Sequence, residues 1–453
     1  MPYRSNKLRL IRLELLSFKE KYSKEVAWVF GGQIAMIILG IVSIKILTTM
    51  PNSEFGKYNL VLALAALLTS ILYGPAEQGF ARYYFEYKIA ALEDQFFKLI
   101  TRFLIYSGGL ILLIFCLFFL TNNFLINSGN SLYNLEFSQV INIIIYIIVS
   151  SSNIIFNSIL NLLRKRQLNT MLSISERIIS LLFFCFIIFF SKLNAQFVLF
   201  SINIAATIFL GLKFLKIRQY FSRGGIEINE EELKKSKHYQ TQILKFCLPF
   251  VVWGITGWIQ ISSDKFIISH YLNISYVGLY SLFFTITSYL VSTPINMINQ
   301  LIQPVIYEKI LGSSVKEEVN LGYKLLNYAL VLIVVFICFL CTFTFFWGDH
   351  LILLLSNNNY LYHTNLLPVL CLAVGIFQLA QFYTTFGFIK NKPKIYLTAK
   401  IVSGILAIVF NIYFINKYQL PGITLSLLLV SIIYFFLVIY ANRKIGIRLF
   451  SKS

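Results

Sequence analysis

The chain has 453 residues, of which 57% are hydrophobic and only 13% are charged, and its mean hydropathy is +0.73. These values do not fit a soluble globular domain and are typical of a protein embedded in a lipid bilayer. The formal net charge of +20 does not require a nucleic-acid partner, because basic loops that face anionic lipid account for it.

Twelve long apolar segments follow one another along the chain. Each contains about 20 residues or more, which is enough for a helix to cross the roughly 30 Å hydrocarbon core of a bilayer. The predicted spans are 26–48, 55–74, 99–120, 138–161, 171–190, 196–215, 246–270, 276–302, 325–347, 363–388, 395–415 and 421–440. The sequence therefore predicts an all-α integral membrane protein with twelve transmembrane helices.

The basic residues fix the orientation of these spans. Thirty-three of the 39 Lys and Arg residues belong to one alternate set of gaps, in which Lys213 and Lys400 are counted. The opposite set contains only Lys57, Lys192 and Lys417, and the remaining three basic residues lie inside spans. Because loops rich in Lys and Arg stay on the cytoplasmic side, both termini are expected in the cytoplasm.

The chain repeats itself at a spacing of about 222–226 residues. Residues 55–60 (FGKYNL) open the second span and residues 277–282 (VGLYSL) open the eighth. Likewise, residues 163–166 (LRKR) follow the fourth span and residues 389–392 (IKNK) follow the tenth. Six spans per repeat give both halves the same orientation, which predicts two parallel six-helix lobes around a central cavity, as in transporters.

The predicted organisation has five parts. They are a cytoplasmic amphipathic and basic N-terminus at 1–24, an N-lobe at 25–217, a cytoplasmic linker at 218–242, a C-lobe at 243–441 and a cytoplasmic tail at 442–453. The linker is too highly charged to lie inside the membrane.

Polar side chains recur at helical spacing inside several spans. Residues three or four apart share one face of a helix, and such amide stripes can bind sugar hydroxyls. They can equally join neighbouring helices, at about 0.6 kcal/mol per contact, so both interpretations stay open. The substrate-binding candidates among them are Asn153 and Asn157 in the fourth span, Asn296, Asn299 and Gln303 in the eighth, and Gln378 and Gln381 in the tenth.

Charged side chains inside the spans are rarer. A Lys or Asp at the centre of a membrane helix costs about 2.5–3.5 kcal/mol on the insertion scale, so it usually has a partner or a role. Asp264 and Lys265 are about 100° apart on the seventh span, so each is expected to face another helix or a wet cavity. Lys45 and Arg177 can instead extend to the membrane interface. The charged candidates are Lys45, Glu77, Arg82, Arg177, Asp264 and Lys265.

Several short motifs, in their order along the chain, carry a resemblance to a known family. They are Gly32-Gln33 in the first span, residues 51–58 (PNSEFGKY), residues 74–82 after the second span, Asp264-Lys265, and residues 277–281 (VGLYS). Over essentially its full length, the chain resembles polysaccharide biosynthesis flippases of the multidrug/oligosaccharidyl-lipid/polysaccharide exporter superfamily. The resemblance implies a fold like that of the multidrug and toxin extrusion transporters.

The resemblance also implies a function in the bacterial inner membrane. A flippase of this family would carry undecaprenyl-diphosphate-linked oligosaccharide across the membrane by alternating access, for surface polysaccharides such as O-antigen or capsule. Its partners would be the lipid-linked oligosaccharide, membrane lipids and the polysaccharide polymerase machinery, and no cofactor or metal is implied. The implied head-group residues are Lys45 and Lys265 with Arg82 or Arg177, and the implied ion-coupling residues are Asp264 or Glu77.

Three other functions are compatible with a chain of many membrane spans. A multidrug exporter of the same superfamily needs acidic groups for cationic drugs, whereas the first span contains Lys45 and no carboxylate. A glycan polymerase or acyltransferase needs an acid–base pair or an activated nucleophile, and the gaps at 121–137 and 348–362 contain few charged residues. An enzyme is therefore not predicted. A scaffold of a glycan assembly complex would tolerate neutralisation of the charges inside the spans.

Overall fold

In the computed structural model, the residues described are 28, 30–127, 137–221, 230–299, 302, 316–389 and 392–446, and within them all regular secondary structure is helical. The α-helices are α1 (Phe30–Leu47), α2 (Asn52–Leu68), α3 (Gly74–Ile89), α4 (Glu93–Asn127), α5 (Phe137–Leu162), α6 (Arg166–Phe190), α7 (Ala195–Phe221), α8 (Glu230–Tyr271), α9 (Ile274–Thr287), α10 (Lys316–Leu355), α11 (Leu366–Tyr383), α12 (Thr385–Ile389) and α13 (Leu397–Lys444). The predicted N-terminal segment 1–24, part of the linker 218–242 and the candidate Gln303 lie outside the described residues.

Eleven helices in this part of the chain are long and apolar enough to cross a membrane. The last of them, Lys394–Lys444, contains both final predicted spans, 395–415 and 421–440. It is interrupted at Gln419, where φ is 55° and ψ is −133°, just before Pro421, whose ring cannot continue the helical hydrogen bonds. The prediction of an all-α integral membrane protein is confirmed.

Large apolar side chains cover the outside of the helices. On α6, for example, Leu182, Phe186 and Phe189 are 63%, 62% and 89% exposed and follow one another at helical spacing. Exposed apolar surface of this extent marks a contact with a membrane or with another protein. Because helices satisfy their own backbone hydrogen bonds, they can present such a surface to lipid.

The helices form two compact units. The first combines residues 1–43 with 72–248, and the second combines residues 44–71 with 249–453. The sequence assigned α2 to an N-lobe at 25–217, whereas the contacts group α2 with the second unit. The cause is the packing of α2 against α9, whose residues lie within that unit.

Two glycines allow α2 and α9 to approach each other closely. A Cβ atom on Gly56 would meet the carbonyl oxygen of Ile274 and the backbone nitrogen of Gly278, and a Cβ on Gly278 would meet the carbonyl oxygen of Asn52. Small residues permit this kind of backbone contact between membrane helices. Gly56 and Gly278 are also equivalent positions of the sequence repeat, so the repeat is visible in the structure as a glycine crossing.

A π-helical turn interrupts two of the membrane helices at related places. One turn covers Thr69–Tyr73, between α2 and α3, and the other covers Ser288–Ser292, after α9. A π-turn inserts an extra residue into the helix and redirects the side chains that follow it. Glu77 follows the first turn, and Asn296 and Asn299 follow the second.

Candidate functional site

In the first unit, three helices meet around the buried ammonium group of Lys213. Lys213 lies on α7 and is 1% exposed. Its Nζ donates to Oδ1 of Asn153 on α5 at 2.9 Å and lies 3.1 Å from Oε2 of Glu176 on α6. The amide of Asn153 also donates to the other oxygen of Glu176 at 3.5 Å. The three side chains form one hydrogen-bonded cluster in which a buried positive charge has a carboxylate partner.

The polar face of α5 reaches a second carboxylate one turn further along. Glu77 on α3 is partly buried and is hydrogen-bonded to the Ser158 side chain on α5. The neighbouring Asn157 has a buried amide oxygen without a hydrogen-bond partner among the described residues. Within the predicted stripe on α5, Asn153 therefore contacts Glu176, whereas the contact with Glu77 is made by Ser158, which lies outside that stripe.

The two arginine candidates lie apart from this cluster. Arg82 pairs with Glu86 on the same helix at 3.0 Å, and its side chain is 59% exposed. Arg177 is partly exposed and has no ion-pair partner in the region that the structure covers. The structure thus leaves Arg177 available and gives Arg82 a local partner on the surface.

In the second unit, Asp264 and Lys265 on α8 both face α9. The hydroxyl of Tyr280 donates to Oδ2 of Asp264 at 2.5 Å. The Nζ of Lys265 lies 4.9 Å from the centre of the Phe284 ring and 3.8 Å from Oδ1 of Asp264, which is too long for a hydrogen bond. Tyr280 and Phe284 are one helical turn apart, so α9 supplies a separate partner to each charged residue.

Lys45 caps the end of another helix. Its Nζ donates to the carbonyl oxygens of Leu353, Leu354 and Ser356 at 3.1, 3.0 and 3.1 Å. These carbonyls belong to the C-terminal end of α10, where the helix dipole favours a positive charge. All three hydrogens of the ammonium group have an acceptor in this arrangement, so the charge of Lys45 serves the structure of the second unit.

The remaining amide candidates are spread over two helices of the second unit. Asn296 is exposed, while Asn299 is partly buried and has an amide oxygen without a partner among the described atoms. Gln378 and Gln381 on α11 are partly buried.

Sequence reasoning missed Lys400 and Lys213, which it had counted with the cytoplasmic loops. Lys400 on α13 is 1% exposed and donates to Oε1 of Gln260 at 3.1 Å. Both lysines fall inside predicted spans, 196–215 and 395–415, which was the signal that could have identified them. The repeat gave a second signal, because its spacing makes Lys400 the counterpart of Glu176, a charged residue inside the fifth predicted span.

A small cavity lies next to Asp264 in the second unit. It has a volume of about 10 Å³ and is lined by Gln260 and Asp264 of α8 and by Asn411 and Ser426 of α13, among other residues. This volume corresponds to a single water molecule, for which the four polar side chains would be partners.

Comparison with solved structures defines the class of protein. The chain is similar to the lipid II flippase MurJ in an inward closed conformation, with a TM-score of 0.66, 15% identity, and coverage of 92% of this chain and 86% of that one. It is similar to the Vibrio cholerae transporter VcmN of the multidrug and toxin extrusion (MATE) family in its bent form, with a TM-score of 0.60, 12% identity and coverage of 94% and 98%. It is also similar to a transporter from Pyrococcus furiosus that belongs to the multidrug/oligosaccharidyl-lipid/polysaccharide exporter superfamily. The TM-score is 0.56 and the identity is 14%, with coverage of 94% of this chain and 92% of that one. The fold is that of this superfamily.

The family follows from the sequence match. Residues 23–310 match the polysaccharide biosynthesis protein family, and the chain belongs to that family. None of the curated proteins with which the chain was compared matches it. The resemblance and the fold inferred from the sequence are both confirmed.

Proposed function

We propose that this protein is a flippase that moves undecaprenyl-diphosphate-linked oligosaccharide across the bacterial inner membrane by alternating access. The observation that carries the proposal is the family match over residues 23–310 on a chain with the fold of the exporter superfamily. The family supports a polysaccharide pathway, and the fold supports a transporter. The products would be surface polysaccharides such as O-antigen or capsule.

The charges inside the spans support an anionic, sugar-bearing cargo. A diphosphate needs cationic partners, and Lys265 has no hydrogen-bond acceptor for its ammonium group among the described residues. Its ion pair with Asp264 is long, at 3.8 Å, and Arg177 has no ion-pair partner among the described residues. We assign these two residues to the diphosphate, the amides of Asn157, Asn299 and the α11 stripe to sugar hydroxyls, and Asp264 or Glu77 to ion coupling.

The proposed orientation in the membrane follows from the distribution of the basic residues. The positive-inside rule puts both termini in the cytoplasm, so cargo would be taken from the cytoplasmic leaflet and released to the outer one. The lipid tail would remain in the bilayer during transfer. We expect the polymerase machinery to use the flipped units, and the protein itself to transport them without covalent chemistry.

The main alternative is export of drugs or other small molecules, because MATE transporters share the fold. In the described part of α1, Lys45 is the charged residue and no carboxylate is present. The partly buried carboxylate of Glu176 is already paired with Lys213. Both observations favour an anionic cargo over a cationic drug.

The decisive experiment determines the leaflet of lipid-linked glycans in cells that lack the gene. We expect complete oligosaccharide units to accumulate on the cytoplasmic leaflet and to disappear on re-expression. Incomplete units, or complete units that already face outward, would show that the protein builds or joins glycans. Unchanged glycans together with increased sensitivity to cationic drugs would support the drug-export alternative.

A further inference from the structure

Among the described residues, each unit contains one fully buried lysine. The two lysines differ in whether a carboxylate lies beside the amine. Lys213 is 1% exposed and has a carboxylate partner, Glu176, at 3.1 Å. Lys400 is also 1% exposed, but no carboxylate of the described residues lies within ion-pair distance of it. The first unit therefore contains a buried lysine that is paired with a carboxylate, and the second contains a buried lysine without such a partner among the described residues.

Aromatic rings surround the amine of Lys400. Its Nζ lies 4.8 Å from the ring centre of Phe377, 4.9 Å from that of Tyr434 and 5.4 Å from that of Trp253. These rings come from α11, from the second half of α13 and from α8. Aromatic faces attract a cation and repel an anion, so the surroundings suit a protonated amine and exclude an anionic ligand.

Hydrogen bonding around Lys400 is incomplete for a permanent charge. An ammonium group has three N–H donors, whereas the part of the chain that the structure describes gives this amine one acceptor, Oε1 of Gln260 at 3.1 Å. The amide of Gln260 in turn donates to the Ser403 hydroxyl. An ion that is buried without a counter-charge is strongly disfavoured, and the rings compensate only in part. The surroundings therefore offer an ammonium ion one acceptor and three ring faces but no counter-charge from the described residues.

Among the described residues, few other titratable groups face this amine. On α13, Tyr434 presents its ring, and Tyr396, which directly precedes α13 and lies one turn before Lys400, donates its hydroxyl to Asn442. On α11, the facing residue is Phe377, which does not titrate. On α8, Gln260 precedes Asp264 by one turn, and both line the water-sized cavity described above.

From this geometry we infer that Lys400 is a proton-binding site of the second unit. The amine takes up one proton to become an ammonium ion held by Gln260 and the three rings, and it releases that proton to return to the neutral form. No bond other than N–H forms or breaks. We further infer that this exchange accompanies each transport cycle, a step that rests on the proposed flippase function.

Trp253 provides a direct readout that needs no substrate. Because its ring faces Nζ of Lys400, a change of charge there should alter its fluorescence. We would titrate the emission of the purified full-length protein in detergent from about pH 5 to about pH 10. The variants are Lys400→Met, which fills the aromatic cage without a charge, and Lys400→Arg, which keeps a permanent charge. The controls are Trp253→Phe, which removes the reporter, and Lys57→Ala, which removes an exposed lysine of the same unit.

The expected result is a change in emission that fits one proton in the wild-type protein and in Lys57→Ala. It should be absent from both Lys400 variants and from Trp253→Phe. A wild-type protein without this titration would overturn the proton site, even if no Lys400 variant could be purified. A titration that persists in Lys400→Met would overturn it as well.

The coupling step is tested separately in cells. Lys400→Met and Lys400→Arg should both reduce surface polysaccharide by about tenfold or more at unchanged protein level in the membrane. Wild-type export by Lys400→Met would mean that the lysine only fills space, and wild-type export by Lys400→Arg would mean that it only supplies a fixed charge. If the protein is not a flippase, deletion of the gene leaves the leaflet of the glycans unchanged, while the fluorescence titration remains.

Discussion

Gly56 and Gly278 occupy equivalent positions of the internal repeat and face each other where α2 crosses α9. A side chain on either glycine would collide with the backbone of the opposite helix, because the nearest atoms are backbone atoms on that helix. The same two positions thus mark the repeat in the sequence and a close helix crossing in the second unit. The crossing also explains why α2 belongs to that unit.

Replacing either glycine with alanine should separate the two helices. We expect Gly56→Ala and Gly278→Ala each to lower the free energy of unfolding by about 1–3 kcal/mol, the usual cost of overpacking. Thermal unfolding of the purified protein in detergent measures the effect. The matched control is Gly211→Ala on α7, where an added Cβ meets nothing within 4 Å. Because alanine favours helix, this control should be stabilised by about 0.5–1 kcal/mol, and equal destabilisation of all three would contradict the crossing.

The ion pair of buried Lys213 and partly buried Glu176 predicts that the contribution of each residue to stability depends on the other. Lys213→Met leaves the carboxylate of Glu176 without its cation, which should lower the free energy of unfolding by about 1–3 kcal/mol. The double variant Lys213→Met with Glu176→Leu removes both charges and should recover most of this loss. A double-mutant cycle on melting temperatures gives the coupling. Additive effects of the two substitutions on the melting temperature would show that the interaction between Lys213 and Glu176 does not contribute to stability.

Lys45 should act on stability and not on cargo. Lys45→Met removes the positive charge from the C-terminal carbonyls of α10 and should lower the free energy of unfolding by about 1 kcal/mol. The amount of exported polysaccharide per molecule of protein in the membrane should remain that of the wild type. Lys57→Ala serves as the control, since Lys57 is exposed and pairs with Glu54 on its own helix. A loss of export at full protein level would restore Lys45 as a head-group residue.

In contrast to Lys45, Lys265 should affect the export of polysaccharide and not the amount of protein in the membrane. Its ammonium group lacks a hydrogen-bond acceptor among the described residues, so Lys265→Ala removes a charge that we assign to the diphosphate. We expect surface polysaccharide to decrease by about tenfold or more while the amount of protein in the membrane is unchanged. Lys57→Ala again provides the control. Wild-type export by Lys265→Ala would remove this residue from the site and would favour a scaffold role.

The burial of the Asp264 carboxylate is expected to depend on the hydrogen bond from Tyr280. The phenol donates a short hydrogen bond to the carboxylate, so Tyr280→Phe leaves a buried carboxylate oxygen without that donor, at a cost of about 1–3 kcal/mol. Asp264→Asn should also stop any ion coupling through this group. We expect Tyr280→Phe to lower the melting temperature more than Tyr276→Phe, since Tyr276 on the same helix is only partly buried. Equal melting temperatures for the two variants would show that the hydrogen bond contributes little.

Much of the helical architecture follows from local sequence. A run of about 20 apolar residues forms a membrane helix wherever it occurs, so the spans and the parallel repeat could be predicted without contacts. The break at Gln419 also falls where a gap between spans was predicted, because Pro421 acts on its immediate neighbours. The π-turns at Thr69–Tyr73 and Ser288–Ser292 were not predicted, since no local residue pattern distinguishes them from continuous helix.

The partners of the polar residues depended on the tertiary structure. Lys45 meets carbonyl groups some 300 positions away in the chain, Lys213 meets Glu176 on another helix, and Lys400 is enclosed by rings from three segments. The charge and hydropathy of a residue establish that it is costly to bury, but not which group offsets that cost. The sequence by itself determined a twelve-span membrane chain of two repeats, because hydropathy and charge act locally. Only the packing of the helices decided which charges are neutralised, since that depends on side chains brought together from distant parts of the chain.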